Sequence, residues 1–148
     1  MVRVFTNDAM QHGIDTEPQA RAYYEFVTDA EVVEFPFITH PKLDYVGISP
    51  DGLIGADGLI EIKCPQPKTH IEYLAAKKMP SKYRWQVQGQ LWVTERKWCD
   101  FVSFHPECEH QLIVRVEANG KDHDALYERA EIANAAVEAL IKQIKEAA

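Results

Sequence analysis

An α/β fold, with a mixed sheet of about five strands flanked by helices, is predicted by three features of this chain. Short apolar or alternating segments at residues 31–39, 45–49, 59–63, 97–104 and 111–117 read as strands. Segments at residues 6–28, 81–94 and 121–148 place apolar residues at helical spacing. With 148 residues and 46% hydrophobic content, the chain is large enough for one domain with its own core.

In the first segment Glu17, Ala20, Arg21 and Tyr24 fall on helical spacing. Two starts fit: a helix from Thr6 that runs through Gly13 to Pro18, or one that begins at Thr16 as N-cap with Pro18 in the first turn and Gln19 completing a capping box. Residues 31–39 follow as a strand in which Pro36 marks an edge or a bulge. Residues 45–49 form a second strand leading into Asp51, and residues 59–63 a third. Residues 70–78 read as a short helix ended by Pro80, and residues 81–94 as a helix with Tyr83, Val87, Leu91 and Trp92 facing inward. Two further strands, 97–104 and 111–117, meet around Pro106. The last helix carries the apolar stripe Leu126, Ala130, Ala133, Val137, Leu140 and Ile144, expected to pack on the sheet.

The chemistry is concentrated in Ser49-Pro50-Asp51-Gly52 and in Leu59-Ile60-Glu61-Ile62-Lys63-Cys64-Pro65. Side chains two apart on a strand share a face, so Glu61 and Lys63 point the same way and Cys64 points opposite Lys63, into the core. Gly52, Gly55, Asp57 and Gly58 allow the chain to reverse between the two blocks, and a hairpin there brings Asp51 beside Glu61. Two carboxylates suit Mg²⁺ or Mn²⁺, and a lysine beside them can steady a hydroxide or a crowded phosphate. That is equipment for hydrolysing a phosphodiester with metal-activated water.

Composition narrows the alternatives. A net charge of −7 argues against a module that simply coats nucleic acid. The stretch 63–97 is nonetheless locally basic, with Lys63, Lys68, Lys77, Lys78, Lys82 and Arg84 as candidates for a positive groove. Cys64, Cys99 and Cys108 form no Cys-x-x-Cys pair, so they read as reduced thiols, with neither a disulfide frame nor a zinc or iron–sulfur site. His12, His40, His70, His105, His110 and His123 have no metal-ligand spacing. The absence of a long apolar run and of a secretory leader leads us to expect a cytoplasmic protein with no membrane contact.

Four blocks in order resemble the phage lambda exonuclease and YqaJ-like viral recombinase family of the PD-(D/E)XK nuclease superfamily. They are Ala9-Met10-Gln11-His12-Gly13-Ile14-Asp15-Thr16-Glu17-Pro18-Gln19-Ala20-Arg21-Ala22-Tyr23-Tyr24-Glu25, Ser49-Pro50-Asp51-Gly52-Leu53, Gly58-Leu59-Ile60-Glu61-Ile62-Lys63-Cys64-Pro65, and Gln86-Val87-Gln88-Gly89-Gln90-Leu91-Trp92-Val93-Thr94. The resemblance implies a restriction-endonuclease-like core in which Asp51, Glu61 and the Ile62 carbonyl ligate Mg²⁺ or Mn²⁺. It further implies that Lys63 positions the attacking water, Glu17 adds an acidic group near a second metal, and Gln86 touches the scissile phosphate or the water. Tyr83 and Trp85 are candidates to stack on bases. The implied activity is 5′-to-3′ digestion of double-stranded DNA ends, with a phage single-strand annealing protein as partner and a homotrimeric assembly. The family's N-terminal region, with an Arg and a Ser or Thr that bind DNA, has no counterpart here, so residues 1–148 are expected to form a single nuclease domain without it. Two alternatives are an endonuclease of the same superfamily and a truncated, non-catalytic DNA-binding remnant.

Overall fold

The computed structural model describes residues 8–147. Helix α1 (Asp8–Thr28) is continuous through Pro18, which favours the longer of the two expected helices; a start at Thr6 lies outside the described residues. Thr16 is buried within it, so it is a helix residue and no N-cap. The expected strand at 31–39 is broken in two: β1 (Val32–Val33) and β2 (Ile38–Thr39) belong to different sheets. Pro36 lies between them and has no N–H to donate to a ladder. The expected strand at 45–49 shortens to β3 (Gly47–Ile48), which pairs with β2 in a separate two-stranded sheet.

The main sheet has five strands in the order β1-β4-β5-β6-β7. Its second member, β4 (Gly52–Ile54), lies where the sequence reads as a turn. Gly52 is needed there for space. A Cβ on it would come within 2.3 Å of Val32 Cγ1 and 3.1 Å of Ile60 Cγ2. Gly52→Ala should therefore push β1 off the sheet and cost about 1–3 kcal/mol. An unchanged denaturant midpoint would contradict this.

β5 (Gly58–Lys63) is antiparallel to β4 and parallel to β6 (Trp98–Ser103), and β7 (Leu112–Glu117) closes the far edge. The two faces of β5 go to different layers, as period-2 geometry requires. Ile60 and Ile62 pack with Ala20 and Tyr24 of α1. Leu59 packs with Val87 and Leu91 of α3 (Arg84–Thr94). Phe101 packs with Tyr73 of α2 (Pro67–Ala76). α2 starts three residues earlier than expected because Pro67 fits the first turn, and it ends at Lys77 in the left-handed region. A 3₁₀ turn (Ser81–Tyr83) leads into α3.

Two polar ties, each built on a buried carboxylate, cross these layers. The Tyr24 hydroxyl donates to Asp100 at 2.7 Å, and Asp100 also accepts two bonds of 2.9 Å from Arg115. Arg84, a candidate for the positive groove, instead forks onto Asp122 at 2.6 and 2.8 Å. That pair joins α3 to the first turn of α4 (Gly120–Ala147).

The stripe on α4 does not pack on the sheet as expected. Leu126 and Ala130 are half-buried, but Val137, Leu140 and Ile144 are 52%, 58% and 69% exposed, and every residue from 135 to 147 is exposed. The reason is length. A helix of 28 residues spans about 42 Å. It is fixed at its start, where the Asn119 side chain accepts from the Lys121 and Asp122 amides and Gln88 accepts from the Asn119 amide. Its later turns outrun the layer beneath. Among the described residues no helix is long and apolar enough to cross a membrane.

Candidate active site

The β4–β5 hairpin sets the site. Its turn is pinned from outside by Arg96, whose Nη1 donates to the carbonyls of Gly55 and Gly58 at 2.8 Å each. Gly55 takes a positive φ of 51° there. The pairing of Gly52 with Ile60 puts Asp51 opposite Glu61, one step beyond the end of β4. At that point the Asp51 carboxylate takes over from the ladder and accepts the Ile62 amide at 2.7 Å. Both backbone groups of a strand residue face the same edge, so the Ile62 carbonyl lies on the Asp51 side of β5.

Glu61 is fully buried on the face covered by α3. Its Oε1 accepts from Gln86 Nε2 at 2.7 Å and pairs with the Lys63 ammonium. Its Oε2 accepts from Gln90 Nε2 at 2.7 Å. Gln86 and Gln90 are one turn apart on α3, so both reach the same carboxylate. The Lys63 ammonium also stands 5.2 Å from the centre of the Tyr83 ring.

The charges strain one another. Burial first, then the Glu61 charge with Glu17 adding to it, raises the Asp51 carboxyl from 3.8 to about 7, against the pull of the Ile62 amide and Lys63. Burial works against the Lys63 ammonium, but Glu61 and Asp51 outweigh it and hold the lysine above its ordinary range. Cys64 is half-buried and packs against the α1 side of the core, as its strand position required. Burial, with Glu17 and Asp51 adding, pushes its thiol up to about 12, so it stays protonated and is no nucleophile at neutral pH.

Glu17 is less close-knit with the site than the sequence suggested. Its carboxylate is turned to Arg21 one helical turn on, at 2.8 Å, and Arg21 also pairs with Glu34. Among the described residues no three His, Cys, Asp or Glu side chains stand together in metal-holding geometry. Glu17 nevertheless lines both hollows of the site. One, of about 460 Å³, is shared with Lys63, Ile62 and Tyr83; the other, of about 300 Å³, is shared with Asp51, Pro50 and Arg21. Trp85 is 52% exposed, stacks under Arg84 at 5.4 Å and lines a hollow with Ala125, Leu126 and Arg129 of α4. Sequence reasoning missed Arg21 as the partner of Glu17 and gave little weight to Gln90. Both lie four residues from a candidate site residue on a helix, and that spacing was the available signal.

The donor set fits a hard divalent cation. Asp51, Glu61 and the Ile62 carbonyl offer oxygen only, and burial, with the Glu61 charge beside it, raises the Asp51 carboxyl to about 7, a cost that a bound cation would offset.

A mixed sheet with α1 on one face and α3 on the other, and an acidic pair with a lysine at the end of the central hairpin, defines the restriction-endonuclease-like fold. The chain aligns with LHK-Exo, an alkaline exonuclease from Laribacter hongkongensis solved in complex with dAMP, at 38% identity and a TM-score of 0.91. That match covers 98% of this chain and 76% of the other. A phage-related exonuclease from Haemophilus somnus 129PT shares the fold at a TM-score of 0.75 and 15% identity, over 97% of this chain and 77% of its own. An uncharacterized protein of Acanthamoeba polyphaga mimivirus is 30% identical over 109 residues. That stretch is 65% of this chain but only 20% of the viral protein. Residues 2–97 match the YqaJ-like viral recombinase domain, and the chain belongs to that family.

Proposed function

We propose that this chain is a single-domain, Mg²⁺- or Mn²⁺-dependent deoxyribonuclease that digests double-stranded DNA from its ends, 5′ to 3′. The observation that carries the proposal is the convergence of Asp51, Glu61 and Lys63 where the β4–β5 pairing ends, beside the hollow lined by Glu17, Lys63 and Tyr83. Membership of the YqaJ-like family and the likeness to an alkaline exonuclease support it.

In this reading Asp51, Glu61 and the Ile62 carbonyl hold a divalent cation. Such an ion, when bound, polarises the phosphate and lowers the pKa of a coordinated water. Lys63, kept charged by Glu61, orients the attacking oxygen and offsets negative charge as it builds on the phosphate. Gln86 holds one Glu61 oxygen and is the candidate to touch the scissile phosphate or the attacking water. Glu17 adds negative charge at the edge of the hollow, where it would help to hold a second cation. No residue forms a covalent intermediate. The products are a 5′ mononucleotide and a lengthening 3′ single strand. A phage single-strand annealing protein is the natural recipient of that strand, and homo-oligomers and a cytoplasmic setting complete the proposal.

The test is digestion of linear duplex with a 5′ phosphate, labelled at either end, in Mg²⁺, in Mn²⁺ and in EDTA. We expect mononucleotides from the 5′ end with either metal and none in EDTA. Metal-independent cleavage would overturn the mechanism, and cutting of closed circles would replace exonuclease by endonuclease.

The pH profile follows from Asp51. Its carboxyl, raised to about 7, must lose a proton before a cation can take the site. At limiting metal, activity should fall by up to about tenfold per pH unit below 7. The sign for stability is opposite to that of a stabilising ion pair. In metal-free protein this raised carboxyl contributes no penalty below pH 3.8, a growing one between 3.8 and about 7, and the full penalty above. Metal-free melting should therefore drop with rising pH in that window, and added Mn²⁺ should restore it most at alkaline pH. A flat metal response across pH 5–9 would remove Asp51 from the ligand set.

A further inference from the structure

Glu61 holds three donors, and they divide unevenly between its oxygens. An ionised carboxylate offers about four lone-pair positions. Lys63 and Gln86 take the two on Oε1, and Gln90 takes one on Oε2, which leaves a single position open on Oε2. Gln90 is therefore the group that fixes which way the last lone pair faces. It is itself buried, at 2% exposure, on the same helix face as Gln86.

The Gln90 amide is badly arranged if its purpose is stability. Glu61 can only accept, so Gln90 must turn its Nε2 inward, and its own Oε1 is left buried with no partner among the described residues. A buried acceptor without a donor is a cost, and an apolar pair in place of Glu61 and Gln90 avoids it. Groups behind a metal ligand repay such a cost by holding the ligand in one orientation.

We propose that Gln90 is a positioning residue for divalent-cation binding: by holding Glu61 Oε2 it aims the one free lone pair of that carboxylate at the cation. The proposal rests on the reading of Glu61 as a cation ligand. Gln90 touches neither the cation nor DNA; it acts through Glu61 alone. Gln86, which bonds the other oxygen, reaches the edge of the site and has a separate task.

The test uses the full chain and Mn²⁺ alone, by calorimetry without DNA. Gln90→Met keeps length and removes the amide; Gln90→Leu is the second variant should the first fold poorly. Mn²⁺ affinity should fall by about 10–100-fold in either variant, the range typical of residues behind a metal ligand. On linear duplex, kcat at limiting Mn²⁺ should fall with it and recover at high Mn²⁺, with KM for DNA unchanged. In a Glu61→Gln background, Gln90→Met should cost nothing further in Mn²⁺ affinity, because the two residues act as one unit. Native Mn²⁺ affinity in both Gln90 variants, with only the metal-free melting temperature lowered, would make Gln90 a packing residue and overturn the proposal. Native affinity in Glu61→Gln itself would remove Glu61 from the ligand set and overturn the functional reading, and the positioning role with it.

Discussion

Glu61→Gln is expected to abolish DNA cleavage in a chain that still folds. The side chain keeps its size, so the cluster of Leu59, Val87 and Leu91 between β5 and α3 is undisturbed. What changes is the polarity of one atom. Glu61 accepts from Gln86, Gln90 and Lys63, and an amide there turns an N–H toward at least one of those donors. The negative charge that balances Lys63 and would ligate a cation is lost at the same stroke. Lewis-acid stabilisation of a phosphoryl transition state is worth several kcal/mol, so kcat should fall by about a thousandfold or more. Asp51→Asn should do the same for a different reason. It keeps an acceptor for the Ile62 amide but removes the second of the two proposed anionic ligands. Circular dichroism of both variants should match the native chain. Residual cleavage within tenfold of native would sink the assignment of the pair.

Lys63→Met carries the second large effect. The ammonium is fixed between the Glu61 carboxylate and the Tyr83 ring and is kept charged by the two site carboxylates. A methionine fills the same volume over the ring but supplies neither charge nor donor. Removing one such preorganised donor costs about 10²–10³ in kcat. Mn²⁺ affinity should change little or rise, since a competing cation has been removed from beside Glu61. Lys63→Arg should rescue poorly, because a planar fork is longer and does not replace a compact ammonium at Glu61 Oε1. Equal losses of turnover and metal affinity in Lys63→Met would count against a role for the lysine in the chemical step.

The reasons why some of this was legible in the sequence and some was not are particular. The Asp51–Glu61 encounter could be read because strand alternation at residues 59–63 and the turn residues between the blocks determine both face and reversal. β4 could not. Its glycine looked like part of the turn, and the neighbours Val32 and Ile60, seen in the fold, explain why a side chain is excluded there. The expected sheet therefore had five strands but included residues 45–49, which pair elsewhere, and lacked 52–54. Periodicity on α4 revealed an apolar face without saying what it meets, and every residue from 135 to 147 is exposed. Glu17 was legible as an acidic residue on the right helix, but its engagement with Arg21 depends on a rotamer. Gln90 was undervalued for a related reason: only the fold shows that its helix face looks onto Glu61.

The most direct test of the central claim, that Asp51 and Glu61 with Lys63 hydrolyse DNA through a divalent cation, is a single digestion. The native chain and Asp51→Ala are incubated in Mn²⁺ with linear duplex bearing a 5′ phosphate and with closed circular DNA. Loss of the linear DNA by the native chain alone, with circles intact and EDTA blocking the reaction, is the expected result. Equal digestion by Asp51→Ala would contradict the claim outright.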